Sequence, residues 1–306
     1  MEKDYRTILY QKDEAVPNIV YITLNRPEKT NAISIGPHEM TGEVKDALSE
    51  ANDDDQVKVV IFRGAGNNFC GGFDLSMVYR VYEGGPGKRP YLSTRFHVDE
   101  EHIVGMRSAV ANCAKVTIAQ IHGWCVEAGM YFASCSDIAI AAKNTKFCHR
   151  GQRLAFGGLL AIPLEAVMGH TKKIVELALT GRTISGEEAE NIGIITKAVE
   201  REELEDEVYA LAKALCCLPS DAIAVGKMYR KHVYQELGLL NFHSQTVYHT
   251  LGTLIHYRPE ERDFIFLRDR EEMGEREAFH RYHQRFEDAL KETKYFRSYG
   301  GDPIKE

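Results

Sequence analysis

The 306-residue sequence has no Cys-x-x-Cys pair and no Cys/His spacing suited to zinc. Its seven cysteines (Cys70, Cys113, Cys125, Cys135, Cys148, Cys216 and Cys217) are scattered and odd in number, which argues against a disulfide framework. They fit reduced thiols in a cytosolic protein, and their scatter suits small core residues rather than a catalytic nucleophile. An excess of positive charge is also missing. The formal net charge is −7, so there is no electrostatic footprint for nucleic acid. No apolar run is long enough to span a membrane, and the start MEKDYRTILY is too charged for a secretory signal. There are no simple repeats, no low-complexity tracts, no Gly-x-Gly-x-x-Gly and no Walker sequence, which removes the dinucleotide and P-loop classes.

What is present is a repeated strand–turn–helix plan. Val116 to Ile121 is an apolar run that reads as a buried strand. A small-residue turn, Gly123 to Gly129, follows it, and small and apolar residues then continue towards Asp137 as a helix inside a core. A helix entered through a tight turn leaves backbone N–H groups free at its start, and these suit a developing oxyanion. The same plan occurs at Val57 to Gly64, which runs into Ala65 to Leu75 with the sequence AGNNFCGGFDL. Two such turns supply two donors to one oxygen if the fold brings them together. An ordinary α/β scaffold with no site at either turn is the competing reading.

Elsewhere, residues 5–24 read as two short strands and residues 37–52 as an amphipathic helix with Met40, Val44, Ala47, Leu48 and Ala51 on one face. Gly84 to Pro90 is the clearest loop, flanked by Tyr79, Tyr82, Tyr91 and His97. Residues 99–113 read as helix, and the chain from Thr171 onward is mainly helical, including Asp221 to Leu240. Residues 260–295 are densely charged with both signs mixed, which reads as a solvated helix face. The expected organisation is a core over residues 1–200 and a helical C-terminal region over 201–306.

The segment LNRPEKTNAI (Leu24 to Ile33), the turn FCGGFDL (Phe69 to Leu75), the stretch Ile118 to Asp137 and LTGRTIS (Leu179 to Ser185) occur in this order. Together they resemble the crotonase (enoyl-CoA hydratase/isomerase) superfamily from about residue 5 to about residue 290. The resemblance implies an α/β fold of stacked ββα units in a spiral core, a helical C-terminal part, and a homotrimer or homohexamer. It implies an acyl-CoA thioester as partner, with coenzyme A carried by the substrate and no separate cofactor. Enolate stabilisation would fall to the amides of Phe73 and Ala128. Arg26, Ala32, Ile33, Gly71, Gly72, Asp74 and Leu75 would surround the substrate, with Lys29 and Lys227 as candidate phosphate partners.

The resemblance also predicts where the chemistry departs from hydration. The two glutamates of hydratases would fall at Tyr131 and at Gly151. The remaining candidates are Glu127 in the second turn, Tyr131, and the run Phe147 to Arg153. Within that run His149 has a suitable ordinary pKa, and Arg150 and Arg153 suit a carboxylate or a second carbonyl. Each has a structural alternative: a salt-bridged Glu127, a space-filling Tyr131, a packed His149, and interface ion pairs for the arginines. The expected activity is lyase or hydrolase chemistry on a cyclic or oxo-substituted acyl-CoA. The alternatives are a hydratase/isomerase with relocated acid/base groups and a non-catalytic acyl-CoA-binding subunit.

Overall fold

The computed structural model describes residues 4–77, 91–154, 169–252, 258, 260 and 266–300. Tyr79, Tyr82 and the Gly84–Pro90 loop lie outside them. The core is a six-stranded sheet built from β1 (Ile8–Lys12), β2 (Ile19–Leu24), β3 (Val59–Gly64), β4 (Val116–Ile121), β6 (Ile138–Ala142) and β9 (Lys197–Val199), in that spatial order. Within this sheet only the β1–β2 pair is antiparallel. A second sheet joins β5 (Trp124–Val126), β7 (Lys146–Cys148) and β8 (Ile184–Ser185) in the order β5–β7–β8. The alternation of strand, turn and helix has built a mixed α/β molecule with a largely parallel sheet.

Every residue of β4 is buried, the mark of a parallel strand covered on both faces. One face, through Val20, Ile22, Val60 and Phe62, packs on α1 (Met40–Asp53), which contributes Met40, Val44, Ala47, Leu48 and Ala51. The other face, through Ile19, Val59, Ile61, Val116, Ile118 and Ile140, is covered by Leu204, Val208 and Ala212 of a C-terminal helix, Leu204–Cys216. The first helix of this C-terminal region is therefore a layer of the core. Burial of both alternating sets explains why the strands read as continuous apolar runs rather than as a two-residue period.

Three element boundaries differ from the sequence reading. Helix begins at Leu92 rather than residue 99 and passes through a π-helical segment, Asp99–Val104, into Gly105–Ala111. No proline or glycine interrupts residues 91–104, so nothing stops the helix from starting earlier. The helix read as Asp221 to Leu240 spans Ser220–Glu236, because Gly238 takes φ +73° and turns the chain out of it. The charged stretch contains Phe266–Met273 and the long helix Glu275–Lys291, whose Ala278 and Tyr282 pack on Leu154 of the core. That stretch is therefore only partly a solvated face. Among the described residues no single helix is long and apolar enough to cross a membrane.

Candidate active site

The first turn is built by the segment before it. Asn31, at φ +53°, accepts from Arg26 N–H at 2.9 Å and donates to the carbonyls of Ala65 and Asn68 at 2.9 and 2.8 Å, pinning the end of β3. Gly71 N–H donates to Thr30 O at 2.7 Å, Ile33 N–H to Gly72 O at 2.7 Å, and Asp74 N–H to Ile33 O at 2.9 Å. The last two bonds are the parallel bridge between Ile33 and Phe73. In such a bridge the neighbours of Phe73 bond to Ile33, so the N–H of Phe73 itself points the other way, into the site.

The second turn lies against the first. Cys70 N–H donates to Trp124 O and Val126 N–H to Cys70 O, both at 2.9 Å, which zips the two segments together. Gly129 sits so close that a Cβ there would lie 2.9 Å from Cys70 Cβ. A Cβ on Gly72, which takes φ +89°, would lie 3.1 Å from Glu127 Cβ. Ala128, fully buried, is the second residue of the short 3₁₀ turn Glu127–Gly129 that leads into helix Met130–Cys135, so its N–H is among the donors with no acceptor inside the helix. The two segments singled out in the sequence thus converge, with Phe73 and Ala128 on facing turns. Glu127 enters this turn at φ +48°, a left-handed conformation that a non-glycine residue adopts at a cost.

The Glu127 carboxylate is held inside. Its Oε2 lies 3.3 Å from His149 Nε2, and the side chains are 23% and 4% exposed, respectively. The pair is close enough to interact electrostatically but is not aligned as a hydrogen bond, and among the described residues Glu127 Oε1 and both His149 nitrogens have no hydrogen-bond partner. A Cβ on Gly151 would lie 3.4 Å from both Glu127 oxygens and 3.6 Å from His149 Cε1. Gly151 is therefore the floor beneath the carboxylate. The Tyr131 ring packs edge-on against Phe73 at 6.1 Å between centroids and under the Arg107 guanidinium at 5.5 Å.

These turns open onto a cleft of about 880 Å³ lined by Lys29, Ala32, Gly71, Phe73, Asp74, Leu75, Trp124, Lys146, Arg150, Arg201, Arg276 and Phe279, among others. Several residues assigned to substrate binding from sequence have other work here. Arg26 donates to Ala32 O at 2.6 Å and to Asp74 Oδ2 at 2.8 Å, and Lys29 reaches the same carboxylate at 3.1 Å. Burial alone would raise the Asp74 carboxyl. Hydrogen bonds from Ser76, Arg26 and Lys29, with the charge of Lys29, outweigh burial and hold it at about 2. Arg26 and Asp74 thus form a latch that shapes the turn, and Ile33 is a fully buried member of the same latch. Lys227 is ion-paired with Asp137 beside a separate cavity, which removes it as a phosphate partner in this cleft.

Arg150 and Arg153 diverge. Arg150 donates from Nη2 to Thr183 Oγ1 at 3.0 Å and lies 5.9 Å from the Trp124 ring centroid, at the cleft wall. Arg153 turns away: it donates to Thr180 O and to Glu287 Oε1, both at 2.7 Å, and so ties the long C-terminal helix to the core. Its charge already has a partner within the chain. His97 is exposed on the helix Leu92–Val98. Burial pushes the Cys70 thiol up to about 12, leaving it inert beside the oxyanion turns. The sequence reading missed Phe279 and Arg276 in the cleft wall and His283 one turn beyond. The only available signal was their shared helical face, obscured by the surrounding charge.

A family model described as enoyl-CoA hydratase/isomerase matches residues 14–251. The 1,2-epoxyphenylacetyl-CoA isomerase of Escherichia coli is 30% identical over 213 residues, covering 68% of this chain and 77% of that protein. The hydroxycinnamoyl-CoA hydratase-lyase of Pseudomonas fluorescens is 28% identical over 206 residues, covering 67% and 71%. Among solved structures, an enoyl-CoA hydratase/isomerase from Xanthobacter autotrophicus Py2 superposes with a TM-score of 0.76 at 26% identity, covering 92% of this chain and 99% of that one.

Proposed function

The chain belongs to the enoyl-CoA hydratase/isomerase family, an acyl-CoA-processing family, and on that premise we propose that its reaction is enolate chemistry served by one carboxylate, Glu127, rather than by two. The thioester oxygen is received by the N–H groups of Phe73 and Ala128, where each donor is worth about 3 kcal/mol once negative charge develops. The observation that carries the reading is the Glu127 carboxylate lying over Gly151, 3.3 Å from His149 and next to Ala128 in sequence. On this reading the proton-transfer group stands beside the oxyanion donors. The two positions at which hydratase glutamates are expected hold Tyr131 and Gly151, so Glu127 and His149 are left to move the proton.

The substrate class is a cyclic or oxo-substituted acyl-CoA, and the reaction is lytic or hydrolytic. For a ketone β to the thioester, Glu127 takes a proton from water as the hydroxyl adds to the ketone. The C–C bond then breaks, with its electron pair delocalised onto the thioester oxygen as an enolate. Protonation of the α-carbon by the Glu127 carboxyl, oriented by His149, returns the base to its starting state and leaves a carboxylic acid and a saturated thioester carbon. The relatives named for epoxyphenylacetyl and hydroxycinnamoyl thioesters support an acyl group larger than a straight chain. A proton-shift isomerisation uses the same groups without water, and its need for one proton-transfer carboxylate at the turn favours it as the second reading.

Incubation with crotonyl-CoA and with a cyclic 3-oxoacyl-CoA, followed by mass spectrometry, tests the proposal. The expected result is a ring-opened product with an added mass of water and negligible hydration of crotonyl-CoA. Rapid hydration of crotonyl-CoA with no reaction of the oxo substrate overturns it.

A further inference from the structure

The guanidinium of Arg150 is anomalous. The residue is 3% exposed, and its Nε and Nη1 have no hydrogen-bond partner among the described residues. Among the described residues its hydrogen-bond partner is the neutral hydroxyl of Thr183, and its other neighbour is the Trp124 ring, which carries no charge. The adjacent cation, Arg153, has Glu287, and that carboxylate also accepts from Ser298 at 2.9 Å, so it is already engaged. A buried cation without a countercharge is costly unless a ligand supplies one.

A second orphan lies beside it. His283, on the helix Glu275–Lys291, is 1% exposed, and neither ring nitrogen has a hydrogen-bond partner among the described residues. Burial, together with the charges of Arg150 and Arg153, pushes its pKa down to about 2, so it is neutral and presents one donor and one acceptor. Its ring stands edge-on to Phe279, with centroids 3.9 Å apart, and Phe279 lines the main cleft. Arg150 lines both that cleft and a smaller pocket of about 290 Å³ that includes His283. The tail closes this pocket from outside: Tyr299 N–H donates to Thr183 O at 2.8 Å, and Thr183 N–H donates to Ser298 Oγ at 3.2 Å.

From these observations we infer that Arg150 and His283 form an anion subsite at the far end of the acyl cleft, and that the substrate is an acyl-CoA bearing a second, ionised carboxylate. The inference rests on the acyl-CoA reading above and narrows its substrate to mono-thioesters of dicarboxylic acids. The carboxylate accepts from the free donors of Arg150 and from the neutral imidazole N–H, while Phe279 packs on the chain leading to it. A charge-assisted contact of this kind distinguishes acyl groups of equal length by their ends.

Calorimetric titration with adipoyl-CoA and hexanoyl-CoA, which share a six-carbon chain and differ in the terminal carboxylate, tests the subsite. Adipoyl-CoA is expected to bind at least about tenfold tighter. The ratio of the two Kd values should fall towards one in Arg150→Gln and drop several-fold in His283→Asn. Equal affinities in the wild type, or an unchanged ratio in both variants, overturn the subsite while leaving the acyl-CoA reading intact. Failure of both thioesters to bind overturns the acyl-CoA reading and the subsite with it.

Discussion

Replacing Glu127 by glycine separates the chemical role of this residue from its structural one. Glu127 sits at φ +48°, where an L side chain costs about 1–2 kcal/mol that glycine does not incur. Glycine in turn raises the entropy of the unfolded chain by about 0.5–1 kcal/mol, so the net gain in the folded state is about 0.5–1 kcal/mol. The imidazole of His149, 3.3 Å from the lost carboxylate, is already imperfectly bonded, so its release adds little to the cost. Glu127→Gly is therefore expected to melt at or slightly above the wild-type temperature. Removing the proton-transfer group should slow the chemical step by about 10²–10⁴-fold, which is about 3–5 kcal/mol of barrier. Glu127→Gln keeps the strained turn and loses only the ionisable group, so it should share the kinetic defect without the stabilisation. Proton–deuterium exchange at the α-carbon of a bound acyl-CoA, followed by NMR in heavy water, reads enolate formation directly, and scanning calorimetry reads stability. Exchange within about threefold of wild type in both variants would refute the assignment of Glu127 as the acid/base. A marked fall in melting temperature for both Glu127→Gly and Glu127→Gln would show that the carboxylate is there to hold the turn.

Three further outcomes follow from the same geometry. Ala128→Pro removes the second oxyanion donor and should reduce exchange by at least about 10²-fold, whereas Ala128→Ser keeps the N–H and should retain most of it; equal rates in the two variants exclude the donor role. Asp74 is held at about 2 in the folded protein, below its ordinary 3.8, so its share of stability, about 2 kcal/mol, is fully present above pH about 4 and is lost as the pH falls through about 2. Asp74→Asn should flatten that acid limb in denaturant titrations, and an unchanged limb counts against the latch. Glu287→Gln removes the countercharge of Arg153, whose side chain is fully buried, and should loosen the Glu275–Lys291 helix by about 3 kcal/mol; hydrogen exchange of that helix unchanged from wild type would contradict the tie.

Much of the scaffold was legible because local rules and tertiary demands agree there. Continuous apolar runs such as Val116 to Ile121 are what a doubly covered parallel strand requires, and glycines at 71, 72 and 129 mark where two backbones must nearly touch. The pairing of the two turns was legible only as a possibility, since sequence order does not fix which turn ends share a space. The fates of the charged residues were not legible. Arg26, Asp74 and Arg153 have the residue types of a binding site, yet each found a partner of opposite charge across 48, 48 and 134 residues of chain, respectively. Arg150, three residues from Arg153, found none of opposite charge among the described residues. The helix bearing Phe279 and His283 looked solvated because most of its residues are charged, and only its docking on Leu154 turned one face into the cleft wall. The strands, the two donor turns and the types of side chain around them follow from the order of residues, because period, glycine and backbone sterics act locally. Which carboxylate meets which histidine, and which cation has no countercharge among the described residues, came from the three-dimensional packing, because electrostatic partners are brought together from distant parts of the chain.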